Sequence, residues 1–158
     1  MKKSASGIIL LLLGVGVGVV TAGKAIRGQV TKTQSMSNKH LDMFLMMKQW
    51  VKIKQEGKNL SEYFEKNNYK NVAIYGMSYA GETLLDELSK SDINVKYAID
   101  KNADSILADV DVVTPDEELA EVDVIVVTAI SFFDEIEEML EDKVDCPIIS
   151  LDDILHEV

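Results

Sequence analysis

Gly76-Met77-Ser78-Tyr79-Ala80-Gly81 is the run of residues whose types and spacing best suit a defined piece of chemistry, the holding of a phosphate ester. A first glycine lets a chain reverse sharply, a small second residue lets backbone approach a pyrophosphate, and a third glycine lets helix and strand pack closely. The phosphates then sit over free N–H groups at the start of a helix. The pattern G-x-G-x-x-G is met at its first and last positions, with Ser78 at the middle one. Asp100 lies 19 residues beyond Gly81, where dinucleotide folds place a carboxylate that accepts hydrogen bonds from adenosine ribose hydroxyls. Its other reading is an ordinary acid in the loop after a strand. The acid prefers NAD over NADP, a preference that Lys101 beside it softens by tolerating a 2′-phosphate.

Groups able to make or break bonds are scarce. Tyr97 and Lys101 have the Tyr-x-x-x-Lys spacing of short-chain dehydrogenases, but they fall on a strand and its loop, on the adenosine side, so the spacing reads as accidental. His40 falls in a helix ahead of the domain and His156 at the extreme end. Cys146, the single cysteine, precedes Pro147 and a strand and reads as a near-core thiol, compatible with a reducing compartment. Glu135, Glu137, Glu138, Glu141 and Asp142 fit the solvated flank of a helix and make no acid/base pair. No metal-ligand spacing is present. The expectation is binding without catalysis.

These residues need elements to position them. Val72 to Tyr75 reads as a buried strand, followed by a helix from Tyr79 to about Ser89 that buries Ala80, Leu84, Leu85 and Leu88. Residues 94–100 form a second strand, and 110–113 a short third one after an abbreviated crossover. Thr114-Pro115 then opens a helical turn. Residues 123–129 are a near-continuous apolar strand of the kind buried on both faces of a parallel sheet. Ser131-x-x-Asp134 caps a helix with Phe132, Ile136, Met139 and Leu140 facing in. Residues 147–151 are a fifth strand, closed by a turn of helix. Five β-units with alternating helices predict an α/β fold with an open, doubly wound parallel sheet ordered 3-2-1-4-5. Ligand then binds at the carboxyl ends of strands one and four, which gather Gly76, Ser78, Tyr79, Gly81, Asp100, Thr128 and Ala129, with Thr114 nearby.

Upstream the chain changes character. Ser4 to Gly23 is twenty residues without a charge, and twenty helical residues span about 30 Å, a bilayer core. This predicts a single transmembrane anchor within residues 1–30, with a basic flank. A secretory signal peptide is the rival, with Met1-Lys2-Lys3 as its basic start and Val20-Thr21-Ala22 at the cleavage site; the chain would then be secreted. Lys24, Arg27, Lys32 and Lys39 after the segment favour a cytoplasmic globular domain. Gly14, Gly18 and Ala22 place small side chains on one helix face, as homodimerising anchors do and as glycine-rich membrane helices do in general.

Residues 31–68 read as a connector. Within it, His40 to Gln55 is an amphipathic helix with Met43, Met46, Met47, Trp50, Val51 and Ile53 on one broad face. That face could lie on a membrane, dimerise or pack on the domain of residues 69–158. Gly57 ends the helix, and Asn59-x-x-Glu62 caps a short one with Leu60, Tyr63 and Phe64 facing in.

Charge divides along the same line. Residues 1 to 70 hold 12 Lys+Arg and 4 Asp+Glu, a net of +8, and residues 71 to 158 hold 4 and 23, a net of −19, together the −11 of the whole chain. The first part suits an anionic membrane surface, and the second excludes nucleic acid as a partner of the domain.

Ile74-Tyr75-Gly76-Met-Ser-Tyr-Ala-Gly81, Tyr97-Ala-Ile-Asp100-Lys-Asn, Asp109 to Val113 and Val124 to Ala129 together resemble small Rossmann-type domains of bacterial envelope enzymes. Such domains precede the catalytic part of membrane-bound nucleotide-sugar dehydratases and sugar acetyltransferases, and occur attached to glycosyltransferases. Over residues 60 to 155, the resemblance implies binding of a dinucleotide or a nucleotide-sugar in polysaccharide biosynthesis. Ser78 departs from the commoner glycine of these domains, and the 158 residues hold no catalytic part. The expected function is therefore a membrane-anchored cytoplasmic NAD(H)-binding module, a sensor or accessory subunit. The alternatives are a nucleotide-sugar-binding or scaffolding component of envelope synthesis, and a degenerate Rossmann domain acting through protein contacts.

Overall fold

The computed structural model describes residues 36–158. The predicted transmembrane helix or signal peptide lies outside the described residues, among which no helix is long and apolar enough to cross a membrane. Asp42–Val158 forms one compact unit, and residues 36–41 fall outside it.

The sheet has five parallel strands in the order β3-β2-β1-β4-β5, as the alternating β and α pattern predicts. The strands are β1 (Asn71–Tyr75), β2 (Asn94–Ile99), β3 (Val112–Val113), β4 (Val124–Val127) and β5 (Ile148–Ser150). β1 and β4 run side by side from Val72↔Val124 to Tyr75↔Val127. Side chains alternate across the sheet. Val72, Ile74, Val124 and Val126 join one core cluster, while Ala73, Tyr75, Ile125 and Val127 join the other. Both strands are thus buried on both faces, which explains their unbroken apolar runs.

Among the described residues, five α-helices accompany the sheet. They are α1 (36–55), α2 (Ser61–Lys66), α3 (Tyr79–Leu88), α4 (Phe133–Leu140) and α5 (Leu151–Glu157). α3 packs Leu84, Leu85 and Leu88 on the first face, and α4 packs Ile136 and Leu140 on the second. The two crossovers leave the centre of the sheet in opposite directions, so the same right-handed turn puts their helices on opposite faces.

Of the three fates open to the apolar side of α1, packing on the sheet is the one observed. Met46, Trp50 and Ile53 are buried in the first core cluster, with Met43 and Met47 against it. Val51, expected on this face, is exposed; it lies about 100° around the helix from Trp50. Glu87 of α3 fixes the contact. Its carboxylate accepts from Trp50 Nε1 at 2.7 Å, Lys54 Nζ at 2.8 Å and the Leu60 N–H at 2.8 Å.

Several local expectations are corrected. Asn59 does not cap α2: its side-chain oxygen accepts from Lys54 Nζ at 2.6 Å, and only the Glu62 half of the box forms, accepting the Asn59 N–H at 3.1 Å. The turn expected at Thr114-Pro115 forms as a single one, closed by the Glu117 N–H on the Thr114 carbonyl at 3.2 Å, and no helix continues from it; Thr114 also directs its own N–H and hydroxyl to Glu117 Oε1 at 2.7 and 3.0 Å. A 3-10 turn over Ile130–Phe132 delays α4 to Phe133, so Ser131 and Asp134 form no cap. The tighter turn also swaps the two phenylalanines: Phe132 is exposed and Phe133 packs inward.

Candidate functional site

The carboxyl ends of β1, β2 and β4 meet at Gly76. Its N–H donates to the Ile99 carbonyl at 2.8 Å, and its φ is +97°, a conformation that glycine adopts without strain. A side chain there would also strike Thr128, since an added Cβ would lie 2.9 Å from the Thr128 hydroxyl oxygen. Gly81 is required for a different reason: a Cβ on it would overlap the backbone carbonyl of Gly76, so its absence lets α3 start tight against the turn. The two glycines are therefore coupled, one making the reversal and the other leaving room for it.

Ser78 is exposed, with φ −95° and ψ −168°, an extended conformation open to any residue. The turn can thus dispense with glycine here, and the serine hydroxyl makes no capping bond to α3. The first N–H groups of a helix have no partner within it, so those that open α3 are left to whatever lies above the turn. Tyr79, the first residue of α3, is 81% exposed.

Asp100 is tied to the turn. Its Oδ2 accepts the Met77 N–H at 2.9 Å, its Oδ1 accepts the Asn102 N–H at 2.9 Å, and its own N–H donates to the Val113 carbonyl at 3.0 Å. One acid thereby joins the ends of β2 and β3 to the glycine turn. Oδ1 also takes a long bond from the Asn102 side-chain amide at 3.5 Å, which leaves Oδ2 as the oxygen with a second lone pair for a further donor. Thr128 sits beneath the turn, buried, with its hydroxyl 2.6 Å from the Gly76 carbonyl oxygen and 3.2 Å from that of Tyr75. It buttresses the turn and does not face outward. Ala129 follows half-buried, its Cβ 3.5 Å from the position a Gly76 Cβ would take.

The structure thus assembles Gly76, Gly81, Asp100, Thr128 and Ala129 around one turn, with Ser78 and Tyr79 exposed above it. Thr114 spends its donors on Glu117. Tyr97 of the Tyr-x-x-x-Lys spacing is buried, with its hydroxyl donating to the Ala120 carbonyl at 2.7 Å, while Lys101 is exposed. Burial raises the Tyr97 phenol above its ordinary range, and also raises the Cys146 thiol, which packs against the second core cluster. His156 has its Nδ1 2.8 Å from the Asp152 carbonyl oxygen at the far end of α5.

Sequence reasoning passed over two residues here. Met77 supplies the N–H that Asp100 holds, and its side chain is buried; an apolar residue inside a turn motif is the available signal. Tyr75, the last residue of β1, is buried with its hydroxyl unpartnered. Burial, followed by the Asp100 and Asp116 carboxylates, pushes its phenol up.

Fold and site together define the class: an open, doubly wound parallel α/β domain with a glycine turn where the strand order reverses, between β1 and β4. The family model described as C2185-like, N-terminal matches residues 68–148, about half of the chain, and the chain belongs to that family. No curated protein and no solved structure matches the chain.

Proposed function

We propose that the crevice above Gly76 binds a nucleotide, NAD(H) first, and that the domain is the non-catalytic sensor or accessory part of a membrane-anchored cytoplasmic protein. The observation that carries this is the pairing of the Gly76 turn with Asp100 beside the uncapped start of α3. The α3 dipole and its free N–H groups favour a phosphate at that point, and exposed Tyr79 offers a ring face to a base. Anchor and cytoplasmic placement rest on the uncharged segment 4–23 and the lysines and arginine after it.

Isothermal titration of the full-length chain in detergent with NAD, NADH, NADPH and UDP-sugars tests the reading. Saturable binding of NAD or NADH is expected, and Ser78→Asp is expected to weaken it by at least tenfold. An aspartate is a good N-cap, so thermal unfolding of this exposed-site variant should be unchanged or slightly raised while its charge repels phosphate. Binding by none of these ligands would sink the proposal. Binding of UDP-sugars alone would transfer it to nucleotide-sugar recognition in envelope polysaccharide synthesis.

One observation favours a second reading, a domain that has given up its nucleotide and works through protein contacts. Both Asp100 oxygens already accept a backbone N–H, so a ribose diol meets a carboxylate with part of its capacity spent. Gly81 cannot separate the two readings, because a side chain there collides with the turn whether or not ligand binds.

A further inference from the structure

Helix α1 turns one face to the core, and the other differs from an ordinary solvated helix face. Phe44 is 65% exposed, Val51 53% and Leu45 49%, with Lys48 and Lys52 exposed among them. At about 100° per residue Phe44, Lys48 and Val51 occupy the sector opposite Met46, Trp50 and Ile53, with Lys52 and Leu45 on its flank. Residues 43 to 55 contain no Asp or Glu. Lys54 belongs to the fold, through Glu87 and Asn59. Lys52 stands 3.9 Å from Glu56 in an exposed pair, a contact of little strength that is readily exchanged.

We infer that this face of α1 lies on an anionic lipid surface, with Phe44, Leu45 and Val51 entering the headgroup boundary and Lys48 and Lys52 meeting lipid phosphates. Large apolar side chains interleaved with lysines are the composition of interfacial helices. Charge selects lipid over a second copy of the chain. The same face on a second copy would set lysines against lysines. The acidic solvent side of α4 would attract them, but it offers one exposed large apolar side chain, Phe132 at its N-cap, against the three on α1. The uncharged segment ends at Gly23, 21 residues before Phe44, a reach of at most about 70 Å. Residues 71 to 158, with their net −19, are repelled by the same lipids, so α1 also sets which side of the domain faces the bilayer. The inference is independent of nucleotide binding.

The test uses the full-length chain with Phe44→Cys and Cys146→Ser, carrying a nitroxide and reconstituted into phosphatidylcholine vesicles with or without phosphatidylserine. With phosphatidylserine, the label should become accessible to oxygen and shielded from a water-soluble nickel chelate. A label placed by Glu135→Cys on α4 should stay aqueous. Lys48→Glu with Lys52→Glu should return the Phe44 label to water, since each lysine near such a surface contributes roughly a fivefold preference. Should labelling disturb the fold, hydroxyl-radical footprinting of Phe44 and Leu45 in the unmodified chain replaces it, with oxidation falling only when phosphatidylserine is present. An aqueous label, or unchanged footprinting, in both vesicle types overturns the inference. So does spin–spin broadening equal in both, which would assign the face to a second copy.

Discussion

The two faces of the sheet receive very different cover. The cluster beneath α1, α2, α3 and α5 holds twenty buried residues and the cluster beneath α4 holds eight, although the strands alternate evenly between them. The asymmetry therefore comes from what the rest of the chain delivers. The first face takes four helices, locked further by the Glu87 carboxylate. The second takes one eight-residue helix and the loop between β3 and β4, which contains no helix and is held by side-chain bonds such as Tyr97 to Ala120 and Lys143 to Pro115. Stability should concentrate on the first face and local opening on the second, since regions with few buried apolar contacts open at the lowest free energy.

The largest effects should come from truncations that oppose the two faces. Leu84→Ala, in the thick cluster, is expected to cost about 4 kcal/mol, and Leu140→Ala, in the thin one, about 2–3 kcal/mol, because a sparsely covered site collapses more readily around a cavity. Both side chains are fully buried, so chemical denaturation compares them directly. Equal or inverted losses would break the distinction between the faces.

Glu87 sharpens it at the next level. Burial alone would raise its carboxyl, but the bonds from the Leu60 N–H, Lys54 and Trp50 outweigh burial and hold it below the ordinary carboxylate range. A carboxylate lowered in the folded state contributes stability above its unfolded value and loses it as pH falls through the folded one. Glu87→Gln should therefore cost about 1–2 kcal/mol at neutral pH. The variant should also lose less stability than the parent on acidification below about pH 4.5, as thermal melts across that range would register.

The smallest effects separate two buried tyrosines on the thin face. Tyr97→Phe removes a 2.7 Å hydrogen bond and should cost about 1 kcal/mol, with faster amide exchange around Ala120. Tyr75→Phe removes a buried hydroxyl that has no partner, so melting should show no loss or a gain of up to about 1 kcal/mol. A clear loss at Tyr75 would mean that its hydroxyl is satisfied by something bound at the end of β1.

Much of the site could be read in advance because its requirements are local. Gly76 and Gly81 are demanded by a turn of six residues, and Asp100 follows from the end of the next strand. Their partners were not legible. Nothing in the spacing indicates that Asp100 holds the Met77 N–H, or that the Thr128 hydroxyl faces the Gly76 carbonyl from below, because both contacts join strands adjacent only in space. The Phe132 and Phe133 exchange shows the same limit on a smaller scale: one 3-10 turn rotates a helix by a residue, and an apolar pattern tolerates either choice.

The sequence by itself determined the fold class, the strand order and the place of the glycine turn, since hydrophobic periodicity and right-handed crossovers leave few topologies. Tertiary structure alone decided which face of α1 is buried, that Glu87 secures it, and that one side of the sheet is thickly covered while the other is thin. A helix with apolar residues over most of its circumference does not encode which arc meets the core; only the shape of the surface it packs against can choose, and that choice leaves Phe44, Leu45 and Val51 outside.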